Sequence, residues 1–143
     1  MSKADKKKVF DVIKKLKGHA YLATCQGRQP VVRSISPILD ERMNIWIATF
    51  ATSRKVKQIR RNPKICLYFV AQPNGNRGAC VLGRAVITKS PRVKQRAWAA
   101  AHYDLSGYFP AGPASKAFCL LKIVPRIVEW WPNWKTGRKV YRP

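Results

Sequence analysis

The spacing of apolar positions changes several times along the chain, and each change marks a predicted element. Val9, Val12, Ile13 and Leu16 recur at helical spacing and predict an amphipathic helix over residues 4–17, closed by Gly18. Residues 20–25 (AYLATC) read as a short buried strand, with a turn at Gln26-Gly27. Residues 30–39 (PVVRSISPIL) are its expected antiparallel partner. Asp40-Glu41-Arg42 then turns the chain into a third strand over 44–50 (NIWIATF). Ser53 is placed to cap a short helix through Arg61, with Val56 and Ile59 facing inward. Asn62-Pro63 ends it, because the residue before proline avoids the helical region.

Strands over 64–71 (KICLYFVA) and 79–88 (ACVLGRAVIT) enclose a loop at 73–78 (PNGNRG). Ser90-Pro91 opens a further helix to about Tyr103, with Pro91 at its first position. A Gly/Pro-rich loop follows at 104–116, and strands over 117–125 and 126–131 end the sheet. Short strands close in sequence, punctuated by helices, predict a mainly β fold: an antiparallel barrel with peripheral helices. With no internal repeat or linker, residues 1–143 are expected to form one domain. It comprises an N-terminal helix within 1–18, a barrel over 20–131 and a tail over 132–143.

Composition adds one strong constraint. Lys and Arg number 29 against six carboxylates, for a formal net charge of +23. Such a surface attracts phosphates and nucleic acid without specificity, so non-specific polyanion contacts are expected. No apolar run approaches the ~20 residues that span a bilayer. The basic N-terminus is not followed by a signal-peptide core, so the cytoplasm is the expected compartment. Cys25, Cys66, Cys80 and Cys119 form no CxxC and lie in apolar runs, where they are expected as reduced, buried structural thiols.

Residue-based catalysis is poorly represented. His19 and His102 are the two histidines and have no ligand-spaced partners, so no metal site is expected. Asp40 and Glu41 occupy a turn and read as solvated rather than as an acid–base pair. No glycine-rich phosphate loop follows a strand. Redox chemistry would therefore have to come from a bound cofactor.

One stretch stands out: ATFATSRKVKQIRRNP, residues 48–63. Arg54 and Lys55 fall in the first turn of the predicted helix, behind the hydroxyls of Thr49, Thr52 and Ser53. A helix N-terminus is partly positive and favours anions. Hydroxyls, backbone N–H groups and two cations there could form a phosphate clamp. In so basic a chain, two adjacent cations at a chosen place also arise by chance about one time in 25. Lys57, Arg60 and Arg61 read as solvated surface.

Arg33 with SISPIL, then IWIATFATSRKVKQIRRNP, then a strand ending in LGRA together resemble the pyridoxamine 5′-phosphate oxidase-like superfamily of FMN-binding split β-barrels. YFPAGP and FCLLKIVPRIVEWW resemble its small general stress protein 26-like branch, and the resemblance runs from about residue 20 to 129. It implies an FMN-binding flavoprotein, a flavin-dependent oxidoreductase acting on a small-molecule redox substrate. It further implies a homodimer with the cofactor between subunits, and chemistry on the flavin rather than on a catalytic side chain. Arg33, Ser53, Arg54 and Lys55 would hold the phosphate. Ser34, Ile35, Ser36 and Ile38 would run along the ring, and Ala48 and Thr49 would border it. Trp131 is a candidate for stacking on the flavin, against simple packing of the tryptophan-rich tail. Positive charge near the ring would stabilise the anionic reduced flavin.

The sequence departs from the oxidases proper. Ile38 stands where they have Lys, Gly78 where they have a flavin-contacting Gln, and their C-terminal Arg-x-His motif is absent. The implied protein is thus not pyridoxamine phosphate oxidase itself. Two alternatives stay open: a split barrel that binds polyanions without flavin turnover, and one that takes a deazaflavin or haem, the latter through His19 or His102.

Overall fold

The computed structural model describes residues 3–18 and 20–143. Helix α1 (Lys3–Lys15) buries Val9, Val12 and Ile13, and the turn after it buries Leu16, the stripe the spacing predicts. The strands are β1 (Ala20–Gln26), β2 (Gln29–Ile35), β3 (Ile38–Leu39), β4 (Ile45–Phe50), β5 (Lys64–Val70), β6 (Gly78–Thr88), β7 (Phe118–Trp131) and β8 (Lys139–Tyr141). Helices α2 (Arg54–Arg61) and α3 (Pro91–Ala100) carry the expected serine caps, Ser53 and Ser90. The sheet is antiparallel throughout, in the order β2-β1-β5-β6-β7-β4-β3, with β8 on the far half of β7. It curls into a half-barrel with three helices, a split β-barrel.

Three expectations need correction. Residues 30–39 do not form one strand beside β1. β2 ends at Ile35, and β3 pairs with β4 at the opposite end of the sheet order. Ser36-Pro37 makes the break, because proline donates no ladder hydrogen bond and restricts the residue before it. One short segment therefore joins both edges of the sheet, and Pro37 and Ile38 are fully buried where it crosses.

The last two predicted strands are one, β7. Its register with β6 jumps from Leu82↔Ile127 to Gly83↔Pro125, leaving Arg126 as the extra residue of a bulge. A bulge admits proline inside a strand, and Gly83 is needed opposite it, since a Cβ there would meet the Val124 carbonyl oxygen and the Pro125 Cα. The tail is also not featureless: β8 pairs with Val128, Glu129 and Trp130.

Smaller differences have local causes. α3 stops at Ala100, short of Tyr103, because Asp104 accepts from Ser106 N–H and starts a separate 3-10 turn (Leu105–Gly107). That turn buries Leu105 and Phe109 in a second apolar cluster with Ile38, Trp46, Ala97, Phe118 and Leu120, outside the barrel core. Phe109 stacks on Phe118 and Phe50 at 5.1 and 4.8 Å, and so anchors its own loop, while Tyr108 points out. Among the cysteines, Cys119 alone is buried; Cys25, Cys66 and Cys80 are half-buried on the outer sheet face, contrary to expectation.

Asp40 does more than face solvent. Its carboxylate accepts from Arg42 N, Asn44 N, Asn44 Nδ2 and Trp46 Nε1, at 2.9 to 3.0 Å, and so orders the β3–β4 turn. Burial alone would raise its pKa, but the hydrogen bonds from Trp46, Asn44 and Arg42 outweigh it and hold the carboxyl below its ordinary value.

Two outcomes follow for stability. Gly83→Ala should cost roughly 1–3 kcal/mol in denaturant unfolding, through the forced shift against β7; a neutral result would place the bulge elsewhere. Asp40→Ala should cost about 1–3 kcal/mol at neutral pH. A depressed folded pKa contributes stability above the unfolded value of about 3.9 and loses it as pH falls through the folded one, so the deficit should shrink in acid. Unfolding at pH near 7 and near 3 checks this, and a constant deficit would refute it.

Candidate functional site

The site is built at the start of α2, where β4 hands the chain to the helix. Ser53 has extended backbone, and its Oγ accepts from Val56 N–H at 3.4 Å, which fixes the first turn. No acid occupies that turn; Arg54 and Lys55 do. Val56 and Ile59 are buried and hold the helix against the barrel. Lys55 folds back so that its Nζ donates to Thr49 Oγ1 at 2.8 Å, and Thr49 Oγ1 in turn donates to Ser53 Oγ at 3.3 Å.

Arg33 approaches from β2. In an antiparallel pair, register partners share a face. Arg33 pairs with Leu22 and so points to the same side as Leu22 and Thr24. Its guanidinium donates to Leu22 O at 3.2 Å, Thr24 Oγ1 at 2.8 Å and Gln58 Oε1 at 3.0 Å. Thr24, only 1% exposed, donates to the same Gln58 oxygen at 2.5 Å. Gln58 Nε2 donates to Gln26 Oε1 at 3.4 Å, and Arg54 donates to that oxygen at 3.3 Å. Gln26, Arg54, Lys57 and Arg61 border an adjoining cleft of about 360 Å³.

Among the described residues, every acceptor assigned to Arg33, Arg54 and Lys55 is neutral. The cations are also close enough to disturb one another. Burial, then the Arg54 guanidinium, holds Arg33 below its ordinary pKa; burial, then Arg33, does the same to Lys55. Positive charge has been partly desolvated and gathered at the positive end of a helix, where it is disfavoured. A bound anion would reverse the sign of that interaction.

Five of the sequence-derived site residues thus converge: Arg33, Thr49, Ser53, Arg54 and Lys55. The others lie apart from this hydrogen-bond network. Ser34 is exposed at the end of β2, Ile35 packs partly on the barrel core, and Ser36 is exposed with its carbonyl accepting from Tyr103 Oη at 3.2 Å. Ile38 is fully buried and Ala48 half-buried, both against the second cluster. Trp131 is engaged within its own chain. Its Nε1–H donates to Gly75 O at 3.0 Å, and the Arg138 guanidinium lies 4.8 Å from the ring centre. Lys57, Arg60 and Arg61 are exposed, as read. His102 is exposed, and His19 lies outside the described residues. No group of three metal-ligating side chains occurs among the described residues. No described helix is long and apolar enough to cross a membrane.

Sequence reasoning missed Thr24, Gln26 and Gln58. A signal existed for two of them. Thr24 continues the inward alternation of Ala20 and Leu22, and Gln58 sits beside the inward Ile59; both are polar residues at buried positions.

A model of the family described as pyridoxamine 5′-phosphate oxidase matches residues 7–132. No curated protein sequence matches the chain. Among solved structures, a general stress protein 26-related protein from Clostridium acetobutylicum is similar, with a TM-score of 0.76 at 18% identity over 99% of this chain and 96% of that one. A pyridoxamine 5′-phosphate oxidase-related, FMN-binding protein from Nostoc punctiforme matches at a TM-score of 0.60 and 15% identity, covering 99% and 95%. A heme-binding protein from Mycobacterium smegmatis matches at 0.72 and 10%, covering 93% of this chain and 56% of that one. At such identities the structures speak for the fold alone. The family match spans most of the sequence, and the chain belongs to the pyridoxamine 5′-phosphate oxidase family.

Proposed function

We propose that the protein binds FMN non-covalently and serves as a flavin-dependent oxidoreductase other than pyridoxamine phosphate oxidase. The observation that carries this reading is the convergence of Arg33, Arg54 and Lys55 on neutral acceptors at the N-terminus of α2. A phosphate monoester there would supply the missing negative charge and accept from these cations, the Thr49 and Ser53 hydroxyls and the first N–H groups of the helix. Family membership, with an FMN-binding protein among the structural neighbours, supports the choice of FMN over an unspecified anion.

When bound, FMN supplies electron or hydride transfer through its ring. The chain's own residues bind and orient. Lys55 and Ser53 are held by Thr49, Arg33 is braced by Thr24 and Gln58, and Arg54 is exposed beside them, donating to Gln26 Oε1. Ser34, Ile35, Ser36, Ile38 and Ala48 would offer backbone groups and apolar surface along the ring, since Ile38 has no side-chain surface left to give. The reading includes a homodimer with the cofactor between subunits and a small-molecule redox substrate.

Replacing both cations, Arg54→Ala with Lys55→Ala, should weaken FMN binding by roughly 1.5 kcal/mol or more, about tenfold at least, in a fluorescence-quenching titration. Neither side chain belongs to the core, so the thermal melting of the double variant without FMN should match or exceed the parent's. An unchanged FMN affinity in a folded double variant would refute the site.

A further inference from the structure

The outer face of the sheet carries a second reactive constellation, separate from the cation cluster. Cys66 pairs with Leu82 and Cys80 pairs with Tyr68 across β5 and β6, so the two cysteines are diagonal neighbours on one face. Cys66 also pairs with Ala23 of β1, whereas Arg33 shares the face of Leu22; alternation places thiols and cations on opposite sides of the sheet. Although 14 residues apart in sequence, their Sγ atoms lie 3.2 Å apart. A disulfide needs about 2.05 Å, so closure requires the sulfurs to approach by roughly 1 Å.

The pair is half-buried, within reach of a small reagent, and Cys119, the buried thiol of the core, is not. Among the described residues, the charged groups that act on the pair are Glu129, the register partner of Cys80 on β7, and Arg138, whose Nη1 bridges Glu129 at 3.4 Å; Lys64 and its register partner Arg84 follow along the same face. One proton shared between two sulfurs separates their acidities. The hydrogen bond between the two sulfurs lowers Cys80 to about 7, against opposing effects of burial and Glu129 and with help from Arg138. The same bond, then burial, pushes Cys66 up. Either sulfur can be the hydrogen-bond donor, so either thiol can attack while the other resolves, and attack by Cys80 stands for both orders.

We propose that Cys66 and Cys80 form a redox-active dithiol that takes two-electron oxidation from low-molecular-weight disulfides to give an intrachain disulfide bridging β5 and β6. The Cys80 thiolate attacks one sulfur of the small disulfide, whose S–S bond breaks and whose other half leaves as a thiolate. Cys66 then loses its proton to solvent and attacks the Cys80 sulfur of the mixed disulfide, expelling the second small thiolate. Two protein thiols are oxidised and one small disulfide is reduced to two thiols.

Oxidised glutathione is the probe. The wild-type protein, exposed to it in the native state and then denatured for thiol titration, should lose two of its four thiols, recover them with dithiothreitol, and yield a linked Cys66–Cys80 peptide by mass spectrometry. Cys66→Ser should stop at the first step and hold one glutathionyl group on Cys80. Cys80→Ser should likewise form no intrachain bridge and stop at a mixed disulfide, held on Cys66. Four thiols still titratable in the wild type after exposure, linkage through Cys25 or Cys119, or an adduct on Cys25 in place of Cys80 would each overturn the proposal. The wild-type peptide map decides it without reliance on any variant.

Discussion

One side-chain oxygen ties the site to the fold. Gln58 Oε1 accepts from Arg33 of β2 and from Thr24 of β1, and so clamps α2 across the first hairpin. Burial of Val56 and Ile59 supplies the adhesion, but the polar clamp sets where the helix begins relative to the sheet. A buried amide oxygen left without donors would cost about 1–3 kcal/mol, so the geometry is enforced from both sides. The consequence is electrostatic. The clamp brings a β2 guanidinium toward the α2 N-terminus and supplies a neutral oxygen where a carboxylate would have cancelled the charge.

That choice separates binding capacity from stability. A carboxylate at position 58 would pair with Arg33 and fill the site with the protein's own anion. Gln58 satisfies the hydrogen bonds and leaves net positive charge for an external one. The wider surface follows the same economy of acids. Glu129 is taken up by an exposed ion pair with Arg138, and Asp40 spends its carboxylate on backbone and side-chain N–H groups of its turn. Among the described residues, the α2 cations Lys57, Arg60 and Arg61 are exposed and have no ion-pair partner, which raises local anion concentration but does not by itself build a specific pocket.

What could be read from the sequence was local. The register of α2, its Ser53 cap, its Asn-Pro stop and the inward Val56 and Ile59 are all set within a few residues, and each is found. The resemblance correctly assigned the family and the barrel. What escaped depends on distant partners. Thr24 and Gln58 are 34 residues apart and meet only once the hairpin and helix dock. The break at Pro37 was visible as a residue, but its effect, sending β3 to the other edge of the sheet, is a property of barrel closure. The β7 bulge likewise needs both Gly83 and Pro125 in view, and they sit on different strands. Cys66 and Cys80 show no motif in sequence because their proximity comes from a diagonal across a sheet register.

The central claim is that the α2 N-terminus binds the phosphate of a flavin, not flavins in general. Its most direct test compares FMN with riboflavin, which has the same ring and no phosphate, in equilibrium binding to the wild-type protein. The account predicts that FMN binds at least about a hundredfold more tightly, roughly 2.7 kcal/mol from charge-assisted contacts, and that the difference narrows with added salt. Equal affinities for the two, or tighter binding of riboflavin, would contradict it.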